Sequence, residues 1–312
     1  MGVFLFSLTA GSYDISLSSA IKTLFNPNDL SDISMIVDLR FQKTILAIVV
    51  GGALAISGCV FQAILKNPLA EPFTLGISGG ASLGAAIIFC TPLVSLAYFF
   101  APIGAFGGAL AAVIFVYILS AKKLFDKNSI ILAGIIISFL FSSATVLLFA
   151  ISKPNQMQAS FLWLSGNFNA PFEFANLIIC AAIVFLCLIL IVFSNIINIL
   201  SMPSDKISSL GLNTKAFIKF FFIISSIIAA LCVCLCGVIG FVGLMIPHIL
   251  KKIFKSNFSI LMPACFLGGA FFLSFCEVLS RIIFAPINIP IAVITNFIGA
   301  IFFIFLLVEK ND

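Results

Sequence analysis

The stretch QKTILAIVVGGALAISGCVFQAIL, residues 42–65, decides the architecture: beyond Lys43 no charged side chain interrupts it before Leu65. A helix rises about 1.5 Å per residue, so roughly 20 such residues cross the hydrocarbon core of a bilayer, about 30 Å thick. The apolar residues are continuous rather than alternating, which argues against the short, alternating strands of a membrane barrel. Runs of the same kind recur in both directions. Spans are predicted at 42–65, 74–91, 94–119, 129–151, 173–194, 216–236, 238–250, 260–283 and 291–308, and residues 1–10 form a truncated stub of a tenth.

Composition agrees. Of 312 residues 62% are hydrophobic and 9% charged, with a mean hydropathy of +1.29, far from the balance of a soluble domain. The fold class is therefore all-α, a polytopic transmembrane bundle of about ten spans, and residues 1–312 read as a single transmembrane domain with no linker to a soluble one. The formal charge of +5 would suggest nucleic acid in a soluble protein. Here the lysines fall in short connections between spans, where they set orientation, and no nucleic-acid reading survives.

Lys66, Lys122, Lys123, Lys127, Lys206, Lys215, Lys219, Lys251, Lys252, Lys255 and Lys310 would share one side, while Lys22, Arg40, Lys43, Lys153 and Arg281 fall on or near the other. The positive-inside rule then places the lysine-rich connections and the C-terminus in the cytoplasm. This makes a geometric demand. Only 31 residues separate Lys219 from Lys251, whereas two full crossings need about 40. One leg must be short or broken, and Gly237-Val238-Ile239-Gly240 is the predicted reversal, because glycine tolerates the backbone angles of a turn. A single long tilted span is the other option.

The nine cysteines lie almost entirely inside apolar runs and read as small packing residues, without a disulfide framework. Cys232, Cys234 and Cys236 invite a metal reading, but an i, i+2, i+4 spacing scatters side chains over different faces of a helix. His248, alone beside Pro247, has no second ligand nearby and reads as structural. Gly76, Gly80 and Gly84, and Gly104 with Gly108, form the small-residue rows that let membrane helices approach closely.

Two longer stretches carry more information. Asn67-Pro68-Leu69-Ala70-Glu71-Pro72, followed by Phe73 through Ala81, is physically a rigid turn bracketed by prolines. As sequence it resembles the N-P-L-A-x-P-x-x-L-G-[IV]-x-x-G-A signature of the iron-chelate and cobalamin permeases of ABC importers, the FecCD type. Gly237 through Ile249 is similar to the same family's G-x-I-x-F-V-G-L-x-x-P-H motif. Shorter similarities follow at Leu39–Thr44, at Trp163-Leu164-Ser165-Gly166, at Leu210-Gly211 and at Ile289–Thr295. Departures are Gln42 for the family's proline, Lys43 for its second arginine, Glu277 for aspartate and Ala292 for glycine.

The resemblance implies a type II ABC importer permease that carries an iron-siderophore, haem or cobalamin-type substrate across a bacterial inner membrane. Its implied partners are a second permease copy or paralogue, two cytoplasmic ATP-binding subunits, an external substrate-binding protein and the lipid bilayer. No cofactor or metal is implied, and no catalytic residue. The chain has no G-x-x-x-x-G-K-[ST] phosphate loop, so ATP is bound by a partner. Ser204, Asp205, Lys206, Ile207, Ser208, Ser209, Leu210 and Gly211, in the largest cytoplasmic loop, combine a polar helix start with a glycine stop and are the expected ATPase-coupling segment. Arg40, Lys43 and Arg281 lie near external span ends, where they would meet carboxylates of the binding protein. Snorkelling to headgroups is the bland alternative, and Glu277 with Arg281 is spaced to pair within one helix. For the translocation path the resemblance points to Ser142, Ser143 and Thr145, although such hydroxyls often bond only to their own helix.

Rival classes lack their hallmarks. An ion-coupled secondary transporter places ionisable groups near the midplane of several spans, and this sequence has almost none. A membrane-embedded enzyme would have one histidine and no paired intramembrane carboxylates to work with. A zinc or manganese ABC permease shares the mechanism but not the two signatures.

Overall fold

The computed structural model describes residues 2–11, 15–24, 32–91, 94–121, 126–166, 168, 174–202, 213–254 and 257–309. Their regular structure is entirely helical: α1 (Gly2–Thr9), α2 (Leu17–Leu24), α3 (Asp32–Leu65), α4 (Ile77–Phe89), α5 (Val94–Ala121), α6 (Lys127–Ala150), α7 (Pro154–Leu164), α8 (Phe174–Val192), α9 (Ser194–Leu200), α10 (Thr214–Cys236), α11 (Val242–Phe254), α12 (Phe258–Ile282) and α13 (Ile291–Glu309). Seven of these, α3, α5, α6, α8, α10, α12 and α13, are long and apolar enough to cross a membrane. With the shorter α4 and α11 and the stub α1 they account for the segments expected from the sequence.

The central element is α3. Its apolar span is 89% buried, enclosed by α8, α10, α11 and α12. It also begins at Asp32, ten residues before the apolar run, so its 34 residues extend about 50 Å and overshoot the hydrocarbon core. By contrast α6, α8 and α13 leave broad apolar faces open, as helices bordering lipid or another membrane helix do.

Small residues set how closely helices approach. A Cβ on Gly84 would overlap the Gly104 carbonyl, and one on Gly58 the Gly243 backbone. The first contact is the α4–α5 seam anticipated from the glycine rows, and the second brings α11 against the centre of α3.

The predicted reversal is present. α10 ends at Cys236, Gly237 takes φ +76° and ψ −166°, a region essentially closed to side-chain-bearing residues, and an extended segment leads to α11. Phe241 adopts φ +68°, a left-handed conformation uncommon outside glycine and unforeseen in the sequence. Helices α2, α7 and α9 were also not anticipated. α7 starts with Pro154 after Lys153, whose backbone N–H donates to Gln156 Oε1 at 3.1 Å, a local start signal.

Candidate functional site

The stretches singled out in the sequence assemble at two ends of the bundle. At the lysine-rich end α3 gives way to the connection 66–76. Asn67 Oδ1 accepts from Leu69 N–H at 2.9 Å and Ala70 N–H donates to the Asn67 carbonyl, closing a turn before Pro72 starts the 3₁₀ turn Phe73–Leu75. Pro68 and Leu69 point to solvent, whereas Ala70, Glu71, Pro72 and Phe73 are buried.

This connection meets α11. Gln62, one turn before the end of α3, donates through Nε2 to the carbonyls of Gly243 (3.4 Å) and Leu244 (3.2 Å), and its Oε1 accepts from Lys251 Nζ at 3.0 Å. Glu71 accepts the backbone N–H of Phe241. Burial pushes the Glu71 carboxyl up to about 7, and that N–H pulls the other way. The two family-like stretches, nearly 170 residues apart, are thus joined by side chain to backbone. Gln62 was readable as a lone amide in an apolar run; nothing in the sequence signalled its partner.

Lys66 Nζ reaches the Met202 carbonyl at 2.6 Å, at the base of the segment 203–212. The coupling residues Ser204 to Gly211 lie outside the described residues, between α9 and α10.

At the other end Arg40, Lys43, Glu277 and Arg281 cluster between α3 and α12. Arg40 and Arg281 are buried, not displayed at span ends, because α3 runs on past them and α1 covers them. Arg40 Nη1 donates to the carbonyls of Leu8 (2.9 Å) and Thr9 (3.0 Å). Arg281 Nη2 donates to the Ser7 carbonyl (3.1 Å), Ser7 Oγ (2.9 Å) and Glu277 Oε2 (2.8 Å). The carbonyls left open at the end of α1 are therefore capped by two guanidinium groups, which suits the negative end of a helix. The internal Glu277–Arg281 pair anticipated from its spacing is formed. Arg281 Nε and Nη1 have no hydrogen-bond partner. Arg281 also lines a cavity of about 190 Å³, together with Lys43, Glu277, Asn288 and Pro290 among others.

Beside that cavity the remaining motifs meet. Val238 N–H donates to the Leu164 carbonyl at 3.1 Å, Ala292 N–H to that of Ser165 at 3.3 Å and Ile291 N–H to that of Gly166 at 3.4 Å. The segment Trp163–Gly166 thus ties the break after α10 to the start of α13.

On α6, Ser142 and Ser143 lie on the open face with Phe139, Leu140, Val146 and Leu147. Thr145 is buried and bonds back to the Phe141 carbonyl at 2.8 Å, so it does not share that face. His248 packs edge-on against Phe302 and Phe303. Cys232, Cys234 and Cys236 are buried free thiols, and no cluster of metal-binding side chains occurs among the described residues.

The FecCD transport family matches residues 1–309. The hemin transport system permease protein HmuU of Yersinia pestis is 30% identical over 316 residues, covering 99% of this chain and 94% of its own. A "Probable iron chelatin transport system permease protein" of Helicobacter pylori is 35% identical over 291 residues, covering 92% and 87%. A solved structure described as "An inward-facing conformation of a putative metal-chelate type ABC transporter" superimposes with a TM-score of 0.84 at 26% identity, covering 98% of this chain and 95% of that one.

Proposed function

Because this chain belongs to the FecCD transport family, we propose that it is the permease of an ATP-driven importer that carries a ferric chelate or haem across a bacterial inner membrane. One observation carries the reading: the two stretches resembling the family signatures fold against each other, through Glu71 on Phe241, and Gln62, just before the first of them, bonds Gly243 and Leu244 in the second. Relatives named for hemin and iron-chelate transport support the substrate class.

In this reading the lysine-rich end faces the cytoplasm, and two ATP-binding subunits dock on the segment 204–211. Lys66, bonded to Met202 at the base of that segment, would pass its movement to the connection 66–76. A second permease copy packs against open apolar helix faces, and substrate passes between the copies along Ser142 and Ser143. A binding protein docks at the arginine end. There Glu277 is shared by Arg281, Lys43 and Arg40, so a docking carboxylate would be drawn to the cavity that Lys43 and Arg281 line. The chain itself performs no covalent step; specificity rests on the binding protein.

The test is ATPase activity of the lipid-reconstituted complex of this chain with its ATP-binding subunits, with and without a binding protein loaded with a ferric chelate. Stimulation by the loaded protein, abolished by Leu210→Ala with Gly211→Ala, supports the importer and its coupling segment. Transport driven by an ion gradient without ATP overturns it.

A further inference from the structure

Glu71 lies in the connection between α3 and α4 and is 9% exposed. One contact is made to its carboxylate, the N–H of Phe241, the residue that precedes α11. Oε2 has no hydrogen-bond partner. A buried carboxylate so poorly partnered is expensive as an anion and much less so as a neutral acid. The positive end of α11 offsets part of that cost without removing it.

The described residues around it offer no counter-ion. Just past the end of α3, Lys66 is turned to the Met202 carbonyl. On α6 the charge is Lys127, which faces Lys66 and Asp126. On α11 there are His248, Lys251 and Lys252, with Lys251 held by Gln62. The described parts of α4 and α5 carry no charge, and on α13 it is the terminal Glu309. Burial and the Phe241 N–H are what act on Glu71.

The backbone on either side is poised. Phe241 holds a left-handed conformation, and the connection is pinned chiefly by short local bonds, Ala70 to Asn67 and Thr74 Oγ1 to the Glu71 carbonyl at 2.8 Å. Strained residues of this kind persist where neighbours over-determine them, and they often mark segments with two arrangements.

We infer that Glu71 is a proton-operated latch: protonated, it holds the α3–α4 connection against the start of α11, and loss of its proton releases the connection to water. The latch deepens the permease reading, since the segments it joins are the two that resemble the family signatures, but it can be tested on the chain alone. The sign follows from linkage. A carboxyl raised from 4.5 to about 7 by burial favours the seated arrangement fully below pH 4.5. That advantage falls with rising pH, is spent above about 7, and amounts to roughly 300-fold in the seated-to-released ratio over the window.

The experiment is hydrogen exchange of peptides covering residues 66–76 in the intact permease in lipid, corrected for intrinsic exchange, between pH 4.5 and 8.5. An infrared titration of the protonated-carboxyl band accompanies it. The wild type should show opening that grows with pH and levels off above about 7, together with a carboxyl that titrates near neutrality. Glu71→Gln should remove both features while Asp38→Asn, at an exposed carboxylate of α3, keeps them. If Glu71→Gln fails to fold, Glu71→Asp serves: its shorter side chain falls away from Phe241, and the titration moves toward the ordinary carboxylate range. A carboxyl that titrates in that ordinary range in the wild type, or opening of 66–76 that does not change with pH, overturns the latch. Either result leaves the importer reading untouched, because no ATPase or binding protein is involved; absent ATPase stimulation would instead count against the importer and not the latch.

Discussion

Replacing Glu277 by glutamine should damage this protein more than replacing Arg281, although the two form one ion pair. Glu277 and Arg281 are buried with an N–O distance of 2.8 Å, their side chains 2% and 7% exposed. Glu277 also lies within electrostatic reach of Lys43 and Arg40, so its one charge serves several cations. Removing Arg281 leaves Glu277 with two cationic neighbours, and the loss is mainly the hydrogen bonds to Ser7, about 1–3 kcal/mol. Removing the Glu277 charge leaves the buried Arg281 guanidinium without its carboxylate and takes a counter-charge from Lys43, the situation in which breaking a buried pair costs about 3–5 kcal/mol. Glutamine preserves shape and can still accept from Arg281, so charge is isolated from packing. The assay is equilibrium unfolding of the purified permease in mild detergent for Glu277→Gln, Arg281→Gln and Glu277→Gln with Lys43→Gln. The double variant should recover part of the Glu277 loss by removing one unbalanced cation, a coupling that the cycle reads directly. Equal costs for the two single variants, a larger cost for Arg281→Gln, or additive loss in the double variant would refute this electrostatic account.

Three further outcomes follow from the packing. Gly58→Val forces a branched side chain into the Gly243 backbone and should cost about 3 kcal/mol or more, measured as lost thermal stability and a lower yield of monodisperse protein. Gly237→Ala places a Cβ 2.7 Å from the Trp163 carbonyl oxygen at a glycine-only backbone conformation; a loss of about 1–3 kcal/mol is expected in the same unfolding assay. Ser142→Leu and Ser143→Leu, on the open face of α6, should cut substrate uptake in reconstituted vesicles more than tenfold with unfolding unchanged, whereas Thr145→Val, an inward residue bonded to its own helix, should leave uptake within twofold.

What could be read from the residues alone has a common physical origin. A bilayer demands long apolar runs and satisfied backbones, so α3, α5, α6, α8, α10, α12 and α13 were visible as runs, and length together with lysine placement pointed to a short leg between Lys219 and Lys251. Local chemistry marked the turn at Asn67–Pro72 and the glycine break at Gly237, because each depends on residues adjacent in sequence. The Glu277–Arg281 pair was likewise visible, since one helical turn brings both partners together.

The tertiary structure decided everything that depends on distant partners. Apolarity does not reveal which face of a helix meets protein, and so it could not show that α3 is enclosed or that Ser142 and Thr145 part company. The burial of the Arg40 and Arg281 guanidinium groups was equally invisible, because it is α1, unremarkable as sequence, that places its last carbonyls on them. Gln62 and Glu71 acquired meaning only when α11 came back to meet them. Local backbone preference and hydrophobic length are properties of a segment and travel with its residues; burial, charge balance and hydrogen-bond partnership are properties of pairs brought together only by the fold.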